Sequence, residues 1–208
     1  METRYLPECE LSFVEVGDIL RNGGLVAFAT DTVYGLGAVY TDREAVRKIF
    51  EAKGRDENKP LSILVSDIMK VGRVADDISN DALTLMTTFW PGALTIIFKK
   101  NDTVPAEVSA GGDTVGVRMP ENAGARMIIA EAGSPLAAPS ANLSGKRSSV
   151  TIDDVRADLD GRIDAAVDGK CSIGLASTVL DMTGDEPKIL REGVITAEMI
   201  NEALGNYR

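Results

Sequence analysis

The fold is decided by one stretch, residues 25–37, which reads LVAFATDTVYGLG. Its first five residues form a short apolar run, which is typical of a strand buried on both faces. Three hydroxyls, a carboxylate and two glycines follow at once. Open α/β sheets bind ligands beyond the carboxyl ends of such strands, and glycine lets a ligand approach the backbone. The stretch therefore predicts an α/β sheet whose first strand leads into either a ligand loop or a plain polar turn.

Helix and strand patterns alternate along the rest of the chain. Residues 13–22 have apolar side chains at helical spacing, and Thr41 with Glu44 matches a capping box at the next helix. We expect a single YrdC-like domain, residues 1–208, with a twisted sheet of mixed parallel and antiparallel strands flanked by helices. Further strands are predicted at 61–65, 94–98, 115–119, 136–138, 165–167, 178–182 and 188–190, and further helices at 67–75, 80–89, 122–132, 151–159 and from 196.

The composition excludes several kinds of site. The chain has no histidine, so Ser-His-Asp and Cys-His nucleophiles and histidine zinc sites are excluded. Two isolated cysteines, Cys9 and Cys171, are typical of reduced thiols, and the sequence has no signal peptide or membrane-spanning run. We therefore expect a cytoplasmic protein without a metal site of its own. The net charge of −10 argues mildly against a protein whose main task is binding nucleic acid.

Several segments place positive charge beside glycine, hydroxyls or a strand. Lys53-Gly54-Arg55 lies just beyond a predicted helix, where two cations either bind phosphate or complement the helix C-terminus. The run PSANLSGKRS, residues 139–148, offers donors to phosphate oxygens, but such residues also favour an ordinary loop. Arg118 interrupts an apolar strand, where a charge requires a partner or a ligand. Arg191 follows another short apolar strand, and Ser177 opens the strand before it.

Taken together and in order, these segments resemble the YrdC/Sua5 family, the threonylcarbamoyl-AMP synthases. The resemblance covers roughly residues 13–196, nearly the whole chain. Each piece is weak alone, but all of them in register make a specific signal. The pieces are TDTVYGLG at 30–37, KGR at 53–55, NKPLSILV at 58–65, FWPGALTIIF at 89–98, VGVRMP at 115–120, APSANLSG at 138–145, STVLD at 177–181 and ILREG at 189–193.

The resemblance implies a large concave pocket and a nucleotidyltransferase. Such an enzyme joins L-threonine, bicarbonate and ATP, with Mg²⁺, into threonylcarbamoyl-adenylate and pyrophosphate. Its product would pass to the tRNA threonylcarbamoyl transferase complex for the t6A modification of tRNA. The same resemblance makes Lys53 and Arg55 catalytic. It implies an ATP site of Lys53, Arg55, Thr114, Ala138, Ser140, Asn142, Ser148 and Arg191, and a threonine site of Thr30, Arg118 and Ser177.

Departures and alternatives accompany the resemblance. Many relatives have a histidine in the strand after the Lys-x-Arg segment, where this chain has Leu64, so the threonine pocket differs there. Longer family members carry a second domain, and this chain resembles the short form. One alternative is an RNA-binding module that acts on tRNA or double-stranded RNA without turnover, although 5% aromatic residues provide few stacking surfaces. Another is carbamoyl-adenylate chemistry on a different acceptor. A third is a non-catalytic interaction subunit, which would leave the Lys-x-Arg and Ser-x-Asn segments without a role.

Overall fold

The computed structural model describes residues 2–205, which form eleven strands and seven α-helices. The strands are β1 Arg4–Leu6, β2 Val26–Phe28, β3 Gly35–Val39, β4 Ile63–Leu64, β5 Ala75–Asp76, β6 Leu94–Lys100, β7 Thr114–Arg118, β8 Leu136–Ala137, β9 Ala165–Val167, β10 Thr178–Asp181 and β11 Lys188–Arg191. The helices are α1 Glu10–Arg21, α2 Arg43–Lys53, α3 Asn80–Phe89, α4 Ala106–Ser109, α5 Ala123–Glu131, α6 Ile152–Leu159 and α7 Ala197–Ala203, with a 3₁₀-helix at Ile68–Arg73. Within residues 2–205, no helix has the length and apolar character needed to cross a bilayer.

The strands form one mixed sheet in the order β1-β9-β2-β3-β8-β4-β7-β6-β10-β11, and β5 pairs with β6 outside this order. Strand β9 lies between β1 and β2 and is parallel to both. The pairs β4–β7 and β6–β10 are also parallel. The remaining neighbours are antiparallel. The mixed sheet predicted from the sequence is confirmed.

Apolar side chains cover both faces of the sheet. In β2, Ala27 joins the larger of two buried clusters, whereas Val26 and Phe28 join the smaller. Successive side chains of a strand point to opposite faces, so the continuous apolar run of β2 is buried on both. Helices α2 and α3 contribute to the larger cluster, and α1 and α5 contribute to the smaller. The sheet therefore lies between two helical layers.

Five of the seven described α-helices begin at a side-chain cap, and one of these corrects the sequence prediction. Asp42 rather than Thr41 is the N-cap of α2, because its carboxylate accepts the Ala45 N–H at 3.0 Å. Helix α2 therefore begins one residue later than a Thr41–Glu44 capping box requires. A true capping box is present at α6, where the side chains of Thr151 and Asp154 each accept the other's backbone N–H.

The two glycines of the opening stretch lie in strand β3 rather than in a loop. Strand β3 pairs antiparallel with β2, and Gly37 lies opposite Val26. A Cβ at Gly37 would stand 2.8 Å from the Phe28 ring, closer than real side chains approach. Packing against Phe28 therefore requires this glycine. A Cβ at Gly35 would instead make an ordinary van der Waals contact, with its nearest neighbour, the Phe28 ring, at 3.8 Å.

Candidate active site

A cavity of about 230 Å³ lies where the loops after β2 and β8 meet the ends of β7 and β11. Its described lining contains three arginines and no carboxylate, although the chain is acidic overall. The cavity is therefore a local positive region. The predicted site residues that line it are Thr30, Arg55, Arg118, Ala138, Ser140, Ser148, Ser177 and Arg191. The other lining residues are Thr32, Val33, Tyr34, Gly35, Pro60, Leu61, Ser62, Leu64, Thr95, Pro139, Ala176 and Val179.

Arg118 is fixed by three hydrogen bonds at the end of β7. Its Nε donates to the Gly92 carbonyl oxygen at 2.9 Å, and its Nη1 donates to Thr32 Oγ1 at 2.7 Å. Its Nη2 donates to Asp31 Oδ1 at 2.5 Å, and the two side chains are only 7% and 2% exposed. Burial lowers the pKa of Arg118, and the Asp31 carboxylate opposes this change. An arginine has five N–H donors, so each terminal nitrogen keeps one for a ligand.

Arg191 and Ser177 form a second fixed group on the cavity wall. The Nε of Arg191 donates to the Ser177 carbonyl oxygen at 3.0 Å, and its Nη2 donates to Ser177 Oγ at 3.3 Å. Ser177 Oγ also shares a hydrogen bond of 2.8 Å with the buried Thr95 hydroxyl. Burial lowers the pKa of Arg191, and the charge of Arg191 helps to lower the pKa of Arg118. The two guanidinium groups therefore interact electrostatically and line the same cavity.

Arg55 supplies the third positive charge. It follows Gly54, the C-cap of α2, and its side chain donates to the carbonyl oxygens of Lys59 at 3.4 Å and Pro60 at 3.1 Å. Burial lowers the pKa of Arg55, and the nearby Asp56 opposes that shift. A guanidinium remains charged at any physiological pH, so Arg55 presents a permanent cation to the cavity.

Part of the cavity wall comes from the segment after β8. Ser140 forms an isolated antiparallel bridge with Gly35, so the 138–148 segment lies directly beside the start of β3. The N–H of Ala138 donates to the Ser62 carbonyl oxygen at 2.8 Å, which commits that donor to the sheet. Ser140 and Ser148 both line the cavity. This segment therefore contributes neutral polar residues to a cavity that also contains three arginines.

Three predicted ATP-site residues do not line the cavity. Lys53 is 2% exposed, and its ammonium donates to the carbonyl oxygens of Ser140 and Asn142, the latter at 2.6 Å. The Asn142 side chain bonds within its own loop. Thr114 begins β7, and the rise of a strand places it about 13 Å from Arg118 at the other end. Lys53, Asn142 and Thr114 are therefore not among the described lining residues, and their contact with ATP stays a prediction.

The loop after β2 both lines the cavity and holds the Arg118 side chain in place. Thr30 lines the cavity, but its hydroxyl donates to the Val33 carbonyl oxygen at 2.6 Å and accepts the Thr32 N–H at 3.2 Å. Sequence reasoning missed Asp31 and Thr32, the residues that hold the guanidinium. A usable signal was present, because a buried arginine requires a carboxylate partner and Asp31 is the acid of that loop.

Comparison with known proteins gives the chain a family. Residues 18–193 match the model of the Sua5/YciO/YrdC family, which is described as telomere recombination. Threonylcarbamoyl-AMP synthase of Bacillus subtilis strain 168 is 48% identical over 189 residues, which cover 90% of this chain and 55% of that protein. The protein of the same name from Pyrococcus abyssi is 43% identical over 190 residues, which cover 91% and 56%. The chain thus spans about half the length of these curated relatives.

A solved structure agrees with the sequence match. The crystal structure of P. abyssi Sua5 complexed with L-threonine superposes with a TM-score of 0.94 and 40% identity, and the match covers 100% of this chain and 62% of that one. The similarity therefore extends over every strand and helix described above. From the family match and this agreement in fold, the chain belongs to the Sua5/YciO/YrdC family.

Proposed function

We propose that this chain is a cytoplasmic nucleotidyltransferase that joins L-threonine, bicarbonate and ATP into threonylcarbamoyl-adenylate and pyrophosphate. One observation carries the proposal: three arginines from separated segments line one cavity in a chain with a net charge of −10. Such a cavity fits two anionic groups, a carboxylate and a polyphosphate. The matching relatives bear the name threonylcarbamoyl-AMP synthase, and the P. abyssi protein was solved with L-threonine.

In this proposal Arg118 holds the threonine carboxylate. Its two uncommitted N–H groups, one on each terminal nitrogen, match the fork geometry that binds a carboxylate in bidentate fashion. The bonds to Asp31 and Thr32 prevent rotation of the guanidinium, so little side-chain entropy is lost on binding. Ser177, Thr95 and Leu64 line the same cavity as Arg118, and the two hydroxyls are hydrogen-bonded to each other. In this proposal they lie beside the bound threonine. Leu64 contributes apolar contact to the amino acid.

Arg55 and Arg191 hold the phosphates of ATP. Both are partly buried, and burial strengthens their interaction with a phosphate by excluding water. Ser140 and Ser148, which also line the cavity, add neutral donors. The arrangement stabilises charge that develops on the phosphates as pyrophosphate leaves.

Mg²⁺ enters the proposal only as part of the ATP substrate. The described lining contains no Asp or Glu, and residues 2–205 contain no cluster of three or more potential metal-ligating Cys, Asp or Glu side chains. Proteins that bind Mg²⁺ themselves usually contribute one or two carboxylates. The cavity residues therefore do not fit a protein-held Mg²⁺.

The chemistry needs positioning rather than a protein nucleophile. The threonine amine condenses with bicarbonate, with loss of water, to give an N-carboxylate. An oxygen of that group attacks the α-phosphorus of ATP, the α–β phosphoanhydride bond breaks, and pyrophosphate leaves. Arginines that hold both substrates in one cavity convert this reaction into an effectively intramolecular step. A chain without histidine is suited to this chemistry.

The direct test is product formation. Protein, ATP, Mg²⁺, L-threonine and labelled bicarbonate are mixed, and a labelled adenylate is expected together with pyrophosphate. Both products should require threonine. Pyrophosphate release that is equal with and without threonine, or that requires carbamoyl phosphate, would contradict the proposal.

Arginine variants test the assigned roles. Arg55→Ala and Arg191→Ala should each lower the rate on the order of 10²–10³-fold, by analogy with loss of a donor to a developing oxyanion. Arg21→Ala is the matched control, because Arg21 lies in an exposed ion pair on α1 and does not line the cavity. A near-wild-type rate in both cavity variants would refute the phosphate assignment.

The product is a reactive mixed anhydride, so we further propose direct transfer to the tRNA threonylcarbamoyl transferase complex. Pull-down of that complex with adenylate-loaded protein tests this step. The competing function is RNA binding without turnover. Salt-dependent tRNA binding by a protein that forms no adenylate would favour it, although the acidic charge of the chain opposes phosphate contacts.

A further inference from the structure

Lys53 is a buried cation that contacts the main chain rather than the cavity. Its ammonium donates to the carbonyl oxygens of Ser140 and Asn142, the latter at 2.6 Å. Its own carbonyl oxygen accepts the Ser144 N–H at 2.8 Å. The end of α2 is therefore bonded at three points to residues 140–146, which we name the wall loop.

Asn142 holds the wall loop from within. Its Nδ2 donates to the carbonyl oxygens of Leu143 at 2.8 Å and Lys146 at 3.0 Å. Asp158 on α6 holds the far end, because it accepts the Leu143 N–H at 3.1 Å and the Lys146 ammonium at 2.6 Å. None of these side chains is among the described cavity lining, whereas Ser140 is. The loop is thus supported on its buried side and presents one hydroxyl to the cavity.

We propose that Lys53 and Asn142 are positioning residues, which fix the wall loop so that Ser140 and Arg55 face the phosphates of ATP. The identity of the ligand rests on the proposed function, but the contacts of the support do not. Carbonyl oxygens are the negative ends of peptide dipoles and repel phosphate. Because Lys53 binds two of them, it keeps them away from the anion site and lets the loop present donors.

Gly54 separates the two roles within the Lys-Gly-Arg segment. It caps α2 in the left-handed conformation, with a φ of 57°, and Arg55 N donates to the Phe50 carbonyl oxygen at 2.9 Å. The helix therefore ends between the two cations. Lys53 therefore remains under the wall loop while Arg55 reaches the cavity.

Direct contact between Lys53 and phosphate is the competing role, and local hydrogen exchange separates the two. Lys53→Met keeps the side-chain length but removes the charge and donors. Arg55→Met removes a cavity cation without touching the support. Lys48→Met is the matched control, because Lys48 lies on the same helix and donates to the Gly23 carbonyl oxygen at 3.0 Å, away from the cavity.

Exchange of the amides of residues 140–146 is measured without substrates, and kcat and KM are measured for ATP and threonine. Lys53→Met should speed wall-loop exchange about 10-fold or more, because hydrogen bonds to a charged group are lost. It should also lower kcat/KM for ATP on the order of 10²-fold, as small misplacements do, with KM for threonine within about 2-fold. Arg55→Met should raise KM for ATP with unchanged exchange, and Lys48→Met should change neither. A defect in folding alone would lower kcat and leave both KM values unchanged.

Two outcomes overturn the proposal. One is a Lys53→Met protein that loses ATP saturation while wall-loop exchange is unchanged, which assigns direct phosphate contact to Lys53. The other is faster exchange with no change in KM for ATP. If Lys53→Met does not fold, Asn142→Ala decides, with faster exchange at 143–146 expected and unchanged exchange contradicting the role. Absence of adenylate with the wild-type protein would refute the proposed function alone, because the exchange data need no substrate.

Discussion

The ion pair between Arg118 and Asp31 gives the most quantitative prediction. Asp31→Asn keeps an oxygen for the Arg118 and Glu121 N–H donors but removes the negative charge beside a guanidinium that is 7% exposed. Loss of one member of a buried pair costs about 3–5 kcal/mol, because the other charge remains buried and uncompensated. Since the amide oxygen retains two hydrogen bonds, we expect the lower end, about 3 kcal/mol. This value raises the unfolding equilibrium constant roughly 10²-fold.

Equilibrium unfolding in urea at pH 7 measures the loss, provided that both transitions are two-state. Asp18→Asn is the matched control. The Arg21–Asp18 pair has the same 2.5 Å nitrogen–oxygen distance, but its side chains are 43% and 64% exposed. Exposed pairs contribute about 0–1 kcal/mol, so the control should stay within 1 kcal/mol of wild type. Equal losses in the two variants would refute the argument that burial gives this pair its importance.

Three further measurements test other parts of the structure. Iodoacetamide at pH 8 should alkylate Cys9 before Cys171. A hydrogen bond with a nearby serine chiefly lowers the pKa of the exposed Cys9, whereas burial raises the pKa of Cys171 to about 11. Peptide mass spectrometry measures the order of alkylation, and the reverse order would contradict the prediction. Gly193→Ala should lower Tm by several degrees, since its Cβ would stand 2.5 Å from a backbone nitrogen, whereas Gly72→Ala, with open space around it, should not; equal Tm values in a thermal scan would count against the packing. Between about pH 8 and 10.5 the free energy of unfolding of the wild-type protein should rise relative to that of the Lys53→Met variant. Burial lowers the pKa of Lys53 to about 8, so the folded state loses the lysine proton at a lower pH than the unfolded state does. Urea titrations at pH 7 and pH 10 measure this, and the same difference between the two proteins at both pH values would disagree.

Local sequence signals predicted most helices and strands, but not those that depend on packing against a neighbouring strand. The buried strand β2 is evident from its apolar run, and Thr151 marks the start of α6. Strand β3 was missed because two glycines interrupt its apolar pattern. Gly37 is compatible with a strand only because the Phe28 ring occupies the space of its missing side chain. That contact becomes apparent only when β2 and β3 are paired.

The candidate site, too, could be predicted from the sequence only in part. Arg118 and Arg191 were predictable because a charge in an apolar strand requires a reason. The burial of Lys53 could not be predicted, because sequence spacing does not disclose that α2 ends at a left-handed Gly54 and leaves the lysine side chain buried. Thr114 lies outside the described lining because the two ends of a strand are close in sequence but about 13 Å apart in space. The sequence indicated which residue types belong near the site, but not on which side of the chain each side chain lies.

The position of β9 has a consequence for the order of folding. During synthesis, Arg4–Leu6 and Val26–Phe28 leave the ribosome early, yet Ala165–Val167 must insert between them. The N-terminal strand thus waits for a partner about 160 residues away, and such long-range pairing slows folding. Until that partner arrives, the exposed edge of β2 can pair with other chains, so slow translation beyond residue 40 should favour aggregation of the nascent protein.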